Sequence, residues 1–279
     1  MKTPSRSTQD PAWARFLLIG VAVAFLALFL IIPLISIFTE ALRKGVAVYF
    51  AALTEDNARS ALWLTLGVAA IAVPLNAVFG LAASWLIARF EFRGKSLLLA
   101  LIDLPFAVSP VVSGLIYVLL FGARGLFGPW LQAHDIQIIY AVPGMVLATM
   151  FVTFPLVARE LIPLMQAQGA DQEYAAISLG ATGWQTFTRV TLPNVKWALF
   201  YGVILCTARA MGEFGAVSVV SGNARGMTTT LPLHVEVLYN EYHFAAAFAC
   251  ASLLSILGLI TLCLKSFIEW RANSRNSES

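Results

Sequence analysis

Apolar residues along the chain gather into six runs, at 16–38, 61–88, 97–121, 138–158, 197–220 and 244–264, separated by segments that hold nearly all the charge. Each run meets the ~20 residues that a helix needs to cross a bilayer. None alternates with a period of two, as the lipid-facing strands of a barrel would. The pattern predicts an all-α polytopic membrane protein with six transmembrane helices. Pro74, Pro105, Pro110 and Pro143 fall inside the runs, where neighbouring helices can re-satisfy the carbonyls they free. The first run is longer than a signal-peptide core and no small-x-small cleavage site follows it, so it reads as a retained anchor. The organisation expected is a short N-terminal segment at 1–15, one transmembrane domain at 16–270, and a polar tail at 271–279.

Composition agrees with the pattern. Of 279 residues 59% are hydrophobic and 12% charged, against roughly 45–50% apolar and about 25% charged in soluble domains. A soluble enzyme, a nucleic-acid binder and a disordered scaffold are excluded on that ground. The net charge of +3 is slight; its placement is informative. With six spans both termini share a side, and twelve Lys and Arg fall there, among them Arg89, Arg93, Lys95, Arg159, Arg189 and Lys196. Five fall opposite (Arg43, Lys44, Arg59, Arg124 and Arg225), and Arg209 lies within a run. Basic residues favour the cytoplasmic face, so both termini and the 159–196 loop are expected there. Cys206, Cys250 and Cys263 lie in apolar runs without metal or redox spacing and read as packing residues.

The 159–196 loop is the longest between spans and the least loop-like. Asp171 is placed to cap a short helix, Glu173 to complement its dipole, and Gly180 to stop it in a left-handed conformation. Thr182 or Gly183 then starts a second short helix, with Pro193 ending it before the fifth span. The result expected is a compact knob that protrudes on the cytoplasmic side. No energy-converting motif accompanies it. Gly94-Lys95-Ser96 invites comparison with a phosphate-binding loop, but Arg89 stands where the first glycine belongs. Neither H-E-x-x-H nor G-x-S-x-G occurs.

At these residues the sequence resembles the permease subunits of ATP-binding-cassette importers, whose loop signature reads E-A-A, three residues, G, nine residues, I-x-L-P. Ala175 and Ala176 match the alanines, Gly180 the glycine, Val190 the isoleucine, and Leu192-Pro193 the end. Tyr174 occupies the glutamate position, with Glu173 one residue earlier, and one position on a helix turns a side chain by about 100°. The segments 104–114, 208–222 and 230–242 are similar to sulfate and molybdate permeases, the last of them to the W-type permeases of sulfate/thiosulfate importers. The resemblance implies a type I importer permease fold and a place in the bacterial inner membrane. It implies a second, T-type permease, two copies of an ATPase subunit and a periplasmic sulfate/thiosulfate-binding protein as partners. ATP and Mg²⁺ are then used by the ATPase, no cofactor is bound by this chain, and Glu173, Ala175, Ala176, Gly180, Leu192 and Pro193 form the coupling region. Molybdate or tungstate is the alternative cargo.

Three ionisable residues sit within the runs: Asp103, Arg209 and Glu213. Each costs roughly 2.5–3.5 kcal/mol at a helix centre on insertion scales, so each needs a partner or a watery cavity. Arg209 and Glu213 are four apart and share a helix face. They form either an internal packing pair or part of an anion path, in which the guanidinium fork suits an oxyanion. Ser109 and Ser113 offer hydroxyls to the same path. Asp103 reads as satisfying backbone groups freed by Pro105. His134, His234 and His243 lack ligand spacing and read as surface residues. A secondary transporter coupled through Asp103 and Glu213 is the rival class, and it calls for more intramembrane carboxylates and no folded knob.

Overall fold

The computed structural model describes residues 12–276, and among them it contains helices and no strand. The first span begins as α1 (Ala12–Leu26), passes through a π turn at Ala27–Ile31, and continues as α2 (Ile32–Leu42). Pro33 explains the π turn. A proline removes one i→i−4 bond and its ring presses on the preceding turn. The widened turn just before it, closed by Ile32 N–H donating to the Ala27 carbonyl, makes the room. Large apolar side chains stand exposed all along this span, and its C-terminal part packs on the last helix.

A short helix α3 (Val46–Thr54) leads to α4 (Asp56–Arg89), the 34-residue second span. The run at 97–121 is not the single helix expected for a third span. It is two helices, α5 (Lys95–Ala107) and α6 (Pro110–Phe121), bent by 110°. The residue before a proline is pushed out of the helical region; Ser109 has φ −57° and ψ 136°, and Val108 is extended as well. After the six-residue α7 (Gly128–Ala133), α8 (Val142–Gln168) forms the fourth span. It begins later than position 138 because Tyr140 turns to φ +62° and donates its N–H to the Val220 carbonyl at 2.8 Å. It also runs ten residues past 158, through Arg159 and Glu160.

Two short helices, α9 (Asp171–Ser178) and α10 (Gly183–Thr186), precede a second π turn at Phe187–Thr191 and then α11 (Leu192–Met211). Pro193 therefore does not end a helix, as its position suggested. It sits in the first turn of α11, and the π turn, closed by Leu192 N–H to the Phe187 carbonyl, accommodates it as Pro33 is accommodated. The fifth span stops at Met211 and not at 220. Gly212–Phe214 break it, and α12 (Gly215–Val220) follows as a separate helix. The chain closes with α13 (Leu231–Asn240) and α14 (Phe244–Asn276).

The bundle is organised around α4, α8 and α11. Val157 of α8 is held between two glycines: a Cβ on Gly80 of α4 would lie 2.9 Å from the Val157 Cβ, and one on Gly202 of α11 would lie 3.1 Å from its Cα. Small residues let backbones approach in this way where lipid removes the hydrophobic drive between helices. Polar side chains tie the same three helices. Asn76 Nδ2 donates to the Met150 carbonyl at 3.1 Å and to Thr153 Oγ1 at 2.8 Å, with Cys206 Sγ beside it at 3.8 Å. All three side chains are fully buried.

Candidate functional sites: a latched knob and two meeting helix breaks

The knob is built by local signals. Gly169, at φ +65°, ends α8, and the chain turns into α9. Asp171 is the first residue of α9 and makes no capping hydrogen bond, contrary to its expected role; Ala170 occupies the cap position. Gly180, at φ +91°, terminates α9. Ala181 N–H donates to the Ala176 carbonyl at 3.1 Å and Gly180 N–H to the Ile177 carbonyl at 2.9 Å. This pair of bonds is the Schellman arrangement, in which a left-handed residue satisfies the last carbonyls of a helix. Thr182 starts α10 through a reciprocal capping box with Gln185: Thr182 Oγ1 accepts from Gln185 N–H at 3.3 Å, and Gln185 Oε1 accepts from Thr182 N–H at 2.9 Å.

Two faces result. Outward stand Tyr174, Ile177, Leu179 and Trp184, with Leu179 90% and Trp184 73% exposed. Ala175 and Pro193 are also exposed, while Ala176 and Leu192 are half-buried. Inward stands Glu173. Its Oε2 lies 2.8 Å from Arg89 Nε, at the end of α4, and its Oε1 accepts from Thr191 Oγ1 at 2.7 Å. The one-residue displacement of the carboxylate seen in the sequence thus turns it away from the tip and into the bundle. Neither Arg89 nor Thr191 was read from the sequence as a partner of Glu173; Arg89 entered as a basic residue at the end of a long apolar run.

The second site lies where the two broken spans meet. A Cβ on Gly215, at the start of α12, would lie 2.9 Å from Pro110 Cβ at the start of α6. One on Gly114 would lie 2.7 Å from the Ala216 carbonyl oxygen and 2.8 Å from Val219 Cβ. Two helix starts are therefore packed together, a form of discontinuous helix pairing that lines ion and substrate sites in transporters. Glu213, in the break between α11 and α12, is buried. Its Oε1 accepts from Ala216 N–H at 2.9 Å, and its Oε2 lies 2.5 Å from Arg209 Nη1. The carboxylate is thereby committed, to a helix N-terminus on one side and a guanidinium on the other. The Arg209 side chain is 40% exposed.

The serines divide. Ser109 caps α6 from an exposed position with its hydroxyl making no cap bond, whereas Ser113 is buried and donates back to the Ser109 carbonyl at 3.2 Å. Asp103 does not serve the backbone near Pro105. It pairs with Arg159 of α8 at 2.8 Å, and that guanidinium lies 4.4 Å over the Phe106 ring. His134 and His243 are exposed as expected. His234 is not: it is 3% exposed on α13, its Nε2 buried without a hydrogen-bond partner. Burial pushes this imidazole below its usual pKa; Glu55 and Glu241 act upward and Arg225 downward.

Known proteins supply the frame for this geometry. Residues 77–273 match the model of the binding-protein-dependent transport system inner membrane component family. The chain belongs to that family. The permease is 50% identical over 267 residues to the sulfate transport system permease protein CysW of Escherichia coli (strain K12), covering 96% of this chain and 92% of that protein. It is 53% identical over 257 residues to the CysW protein of a Synechocystis strain, covering 92% and 93%. The sulfate transport system permease protein CysT of E. coli K12 is 37% identical over 257 residues, covering 92% and 93%. Among solved structures, a bacterial alginate ABC transporter in complex with an alginate pentasaccharide-bound periplasmic protein matches with a TM-score of 0.78 at 14% identity, over 93% of this chain and 95% of that one. At that identity the likeness bears on the fold, which is that of the importer permeases. The permease is accordingly a multi-pass inner-membrane protein.

Proposed function

We propose that this permease forms half of the transmembrane pathway of an ATP-driven sulfate importer, with thiosulfate as a second cargo. The observation that carries the reading is the half-identity to CysW proteins over more than nine-tenths of both chains. One organism among the relatives holds both a CysW and a CysT permease, which supports a heterodimer of two related permeases here. A periplasmic binding protein delivers the anion, and two copies of a separate ATPase subunit bind and hydrolyse ATP with Mg²⁺.

Within this scheme the outward face of the knob, with Tyr174, Ala175, Ile177, Leu179 and Trp184, docks the ATPase. An apolar and aromatic tip held on a doubly capped helix pair suits insertion into a partner's pocket. Arg209 offers the guanidinium fork that suits a divalent oxyanion, while Glu213 prevents the anion from being held too tightly to leave. Ser109 contributes its free hydroxyl. ATP-driven closure of the ATPase pair pushes the knob and changes which side of the membrane the pathway opens to, an exchange between two states by differential binding. The 159–196 region and both termini lie on the cytoplasmic side. The test is uptake of labelled sulfate by vesicles holding both permeases, the ATPase and the binding protein, with omission of each in turn. Uptake of molybdate in preference to sulfate would redirect the substrate; uptake independent of the ATPase would reject the class. External labelling of a cysteine introduced beside Trp184, with none beside Arg225, would reverse the orientation.

A further inference from the structure

Arg89 joins parts of the molecule that the loop signature treats separately. It is the last residue of α4, and its side chain is nine-tenths buried. The guanidinium reaches two segments: Nη1 donates to the Met165 carbonyl of α8 at 2.7 Å, and Nε pairs with Glu173 of α9 at 2.8 Å. Glu173 extends the chain of contacts to a fourth segment through Thr191 in the π turn that opens α11. A parallel row of rings follows the same route. Trp85 of α4 lies 5.2 Å from Phe187 of the π turn, which lies 5.8 Å from Trp184 at the tip. Gln172 of α9 further accepts from Asn194 Nδ2 of α11 at 2.5 Å.

A loop that carries a push needs an attachment stiffer than its own backbone. The covalent route from α8 into α9 runs through Gly169 and Ala170, and glycine rotates at little cost. The buried charge pair bypasses that hinge. Removing one partner leaves the other charge buried and unpaired, a strongly unfavourable state, so the knob is held in one orientation against α4 and α8. We infer that Arg89 is a positioning residue for energy coupling: through Glu173 it makes the knob move with the ends of α4 and α8, so that a displacement imposed on the tip reaches the spans and is not absorbed at Gly169. This rests on the importer reading above, and it assigns docking and transmission to different residues. The tip binds the ATPase; the latch carries the motion.

The experiment uses the complete complex in vesicles, with the ATPase, both permeases and the binding protein. Three quantities are read: co-purification of the ATPase, stimulation of ATP hydrolysis by the binding protein, and uptake of labelled sulfate. Arg89→Gln and Glu173→Gln are expected to keep the ATPase bound while stimulation falls roughly five-fold or more, the span of ordinary coupling energies. The double variant is expected to be no worse than the worse single, because both break one contact. Arg89→Lys, which keeps the charge, is expected to recover part of the stimulation. Normal stimulation in Arg89→Gln overturns the inference. Loss of ATPase co-purification in both Arg89→Gln and Arg89→Lys also overturns it, since the arginine is then a folding or docking residue. Single effects that sum in the double variant do the same. A wild-type complex stimulated by its binding protein but without sulfate uptake refutes the substrate reading instead, and the latch is still decided by stimulation.

Discussion

Substitution at Gly180 separates the geometry of the knob from its contacts. The residue sits at φ +91°, and an ideal Cβ built there meets no atom within 4 Å. Steric conflict with neighbours is therefore absent, and the whole effect of a side chain is backbone strain. For an L-residue in the left-handed region that strain is about 1–2 kcal/mol, smaller for asparagine and larger for a β-branched residue. Relief of the strain means giving up the bonds of Gly180 and Ala181 N–H to the Ile177 and Ala176 carbonyls, which moves the Thr182 capping box and the tip with it. At 1.4 kcal/mol per factor of ten, alanine is expected to shift the knob toward a distorted form by roughly five- to thirty-fold, and valine by more. The spans are untouched, so insertion and pairing with the second permease are expected to persist. The prediction is a graded series, Asn milder than Ala and Ala milder than Val, in co-purified ATPase and in sulfate uptake by reconstituted vesicles. Equal, wild-type values for all three variants would refute the reasoning, as would a valine variant that fails to insert.

Gly114→Ala places a Cβ 2.7 Å from a backbone oxygen of α12; overpacking of this kind costs about 1–3 kcal/mol, expected as a lower thermal midpoint in detergent together with reduced uptake. Gly67→Ala, where no atom lies within 4 Å, serves as its control, and equal behaviour of the two would contradict the close approach. Arg209→Lys is expected to impair sulfate uptake in an assembled complex, because an ammonium lacks the planar fork; restored uptake in Arg209→Gln with Glu213→Gln would mean that the pair only packs the bundle. His234 gives a pH dependence. Its folded pKa is lowered by burial, so between that value and the unfolded ~6.5 the unfolded chain binds more protons and stability rises with pH. The purified permease is expected to lose thermal stability as the pH falls below about 6.5, and His234→Gln to flatten that loss; an identical profile in the variant would count against the buried imidazole.

Hydrophobic run lengths made five long membrane-crossing helices legible, because the bilayer imposes one length on every crossing, whereas the run at 97–121 became a bent pair. The breaks were less legible. Proline marks where a helix is disturbed but not how the disturbance is resolved. Pro110 produces a 110° bend because the two residues before it become extended. Pro33 and Pro193 are absorbed by π turns and leave their spans unbroken, while Pro74 lies within α4 without dividing it. The outcome depends on whether a neighbour or a widened turn takes up the freed groups, and that is decided by tertiary contacts outside any local window. The fifth span shows the same limit from the other side. Its apolar run continues to 220, but Glu213 and two glycines allow the chain to turn at 212–214, and the run could not reveal that the next six residues pack on α6.

The partners of charged residues were the least legible, since they come from other spans. Arg159 answers Asp103 from 56 residues away and Arg89 answers Glu173 from 84 residues away. Only Arg209 and Glu213, four apart in one apolar run, were paired by spacing alone, although the helix itself ends at Met211 between them. The displaced glutamate was nevertheless informative. On a helix a shift of one residue rotates a side chain by about 100°, enough to carry it from the outward face, where Tyr174 now stands, to the face that meets α4. The same rotation puts an aromatic ring at the tip and a carboxylate at the root. A departure from the signature that looked like a weakened contact in the sequence is, in the fold, an exchange of contacts: the outward face of the knob is left apolar around Tyr174 and Leu179, and the charge is spent on fastening the knob to the bundle.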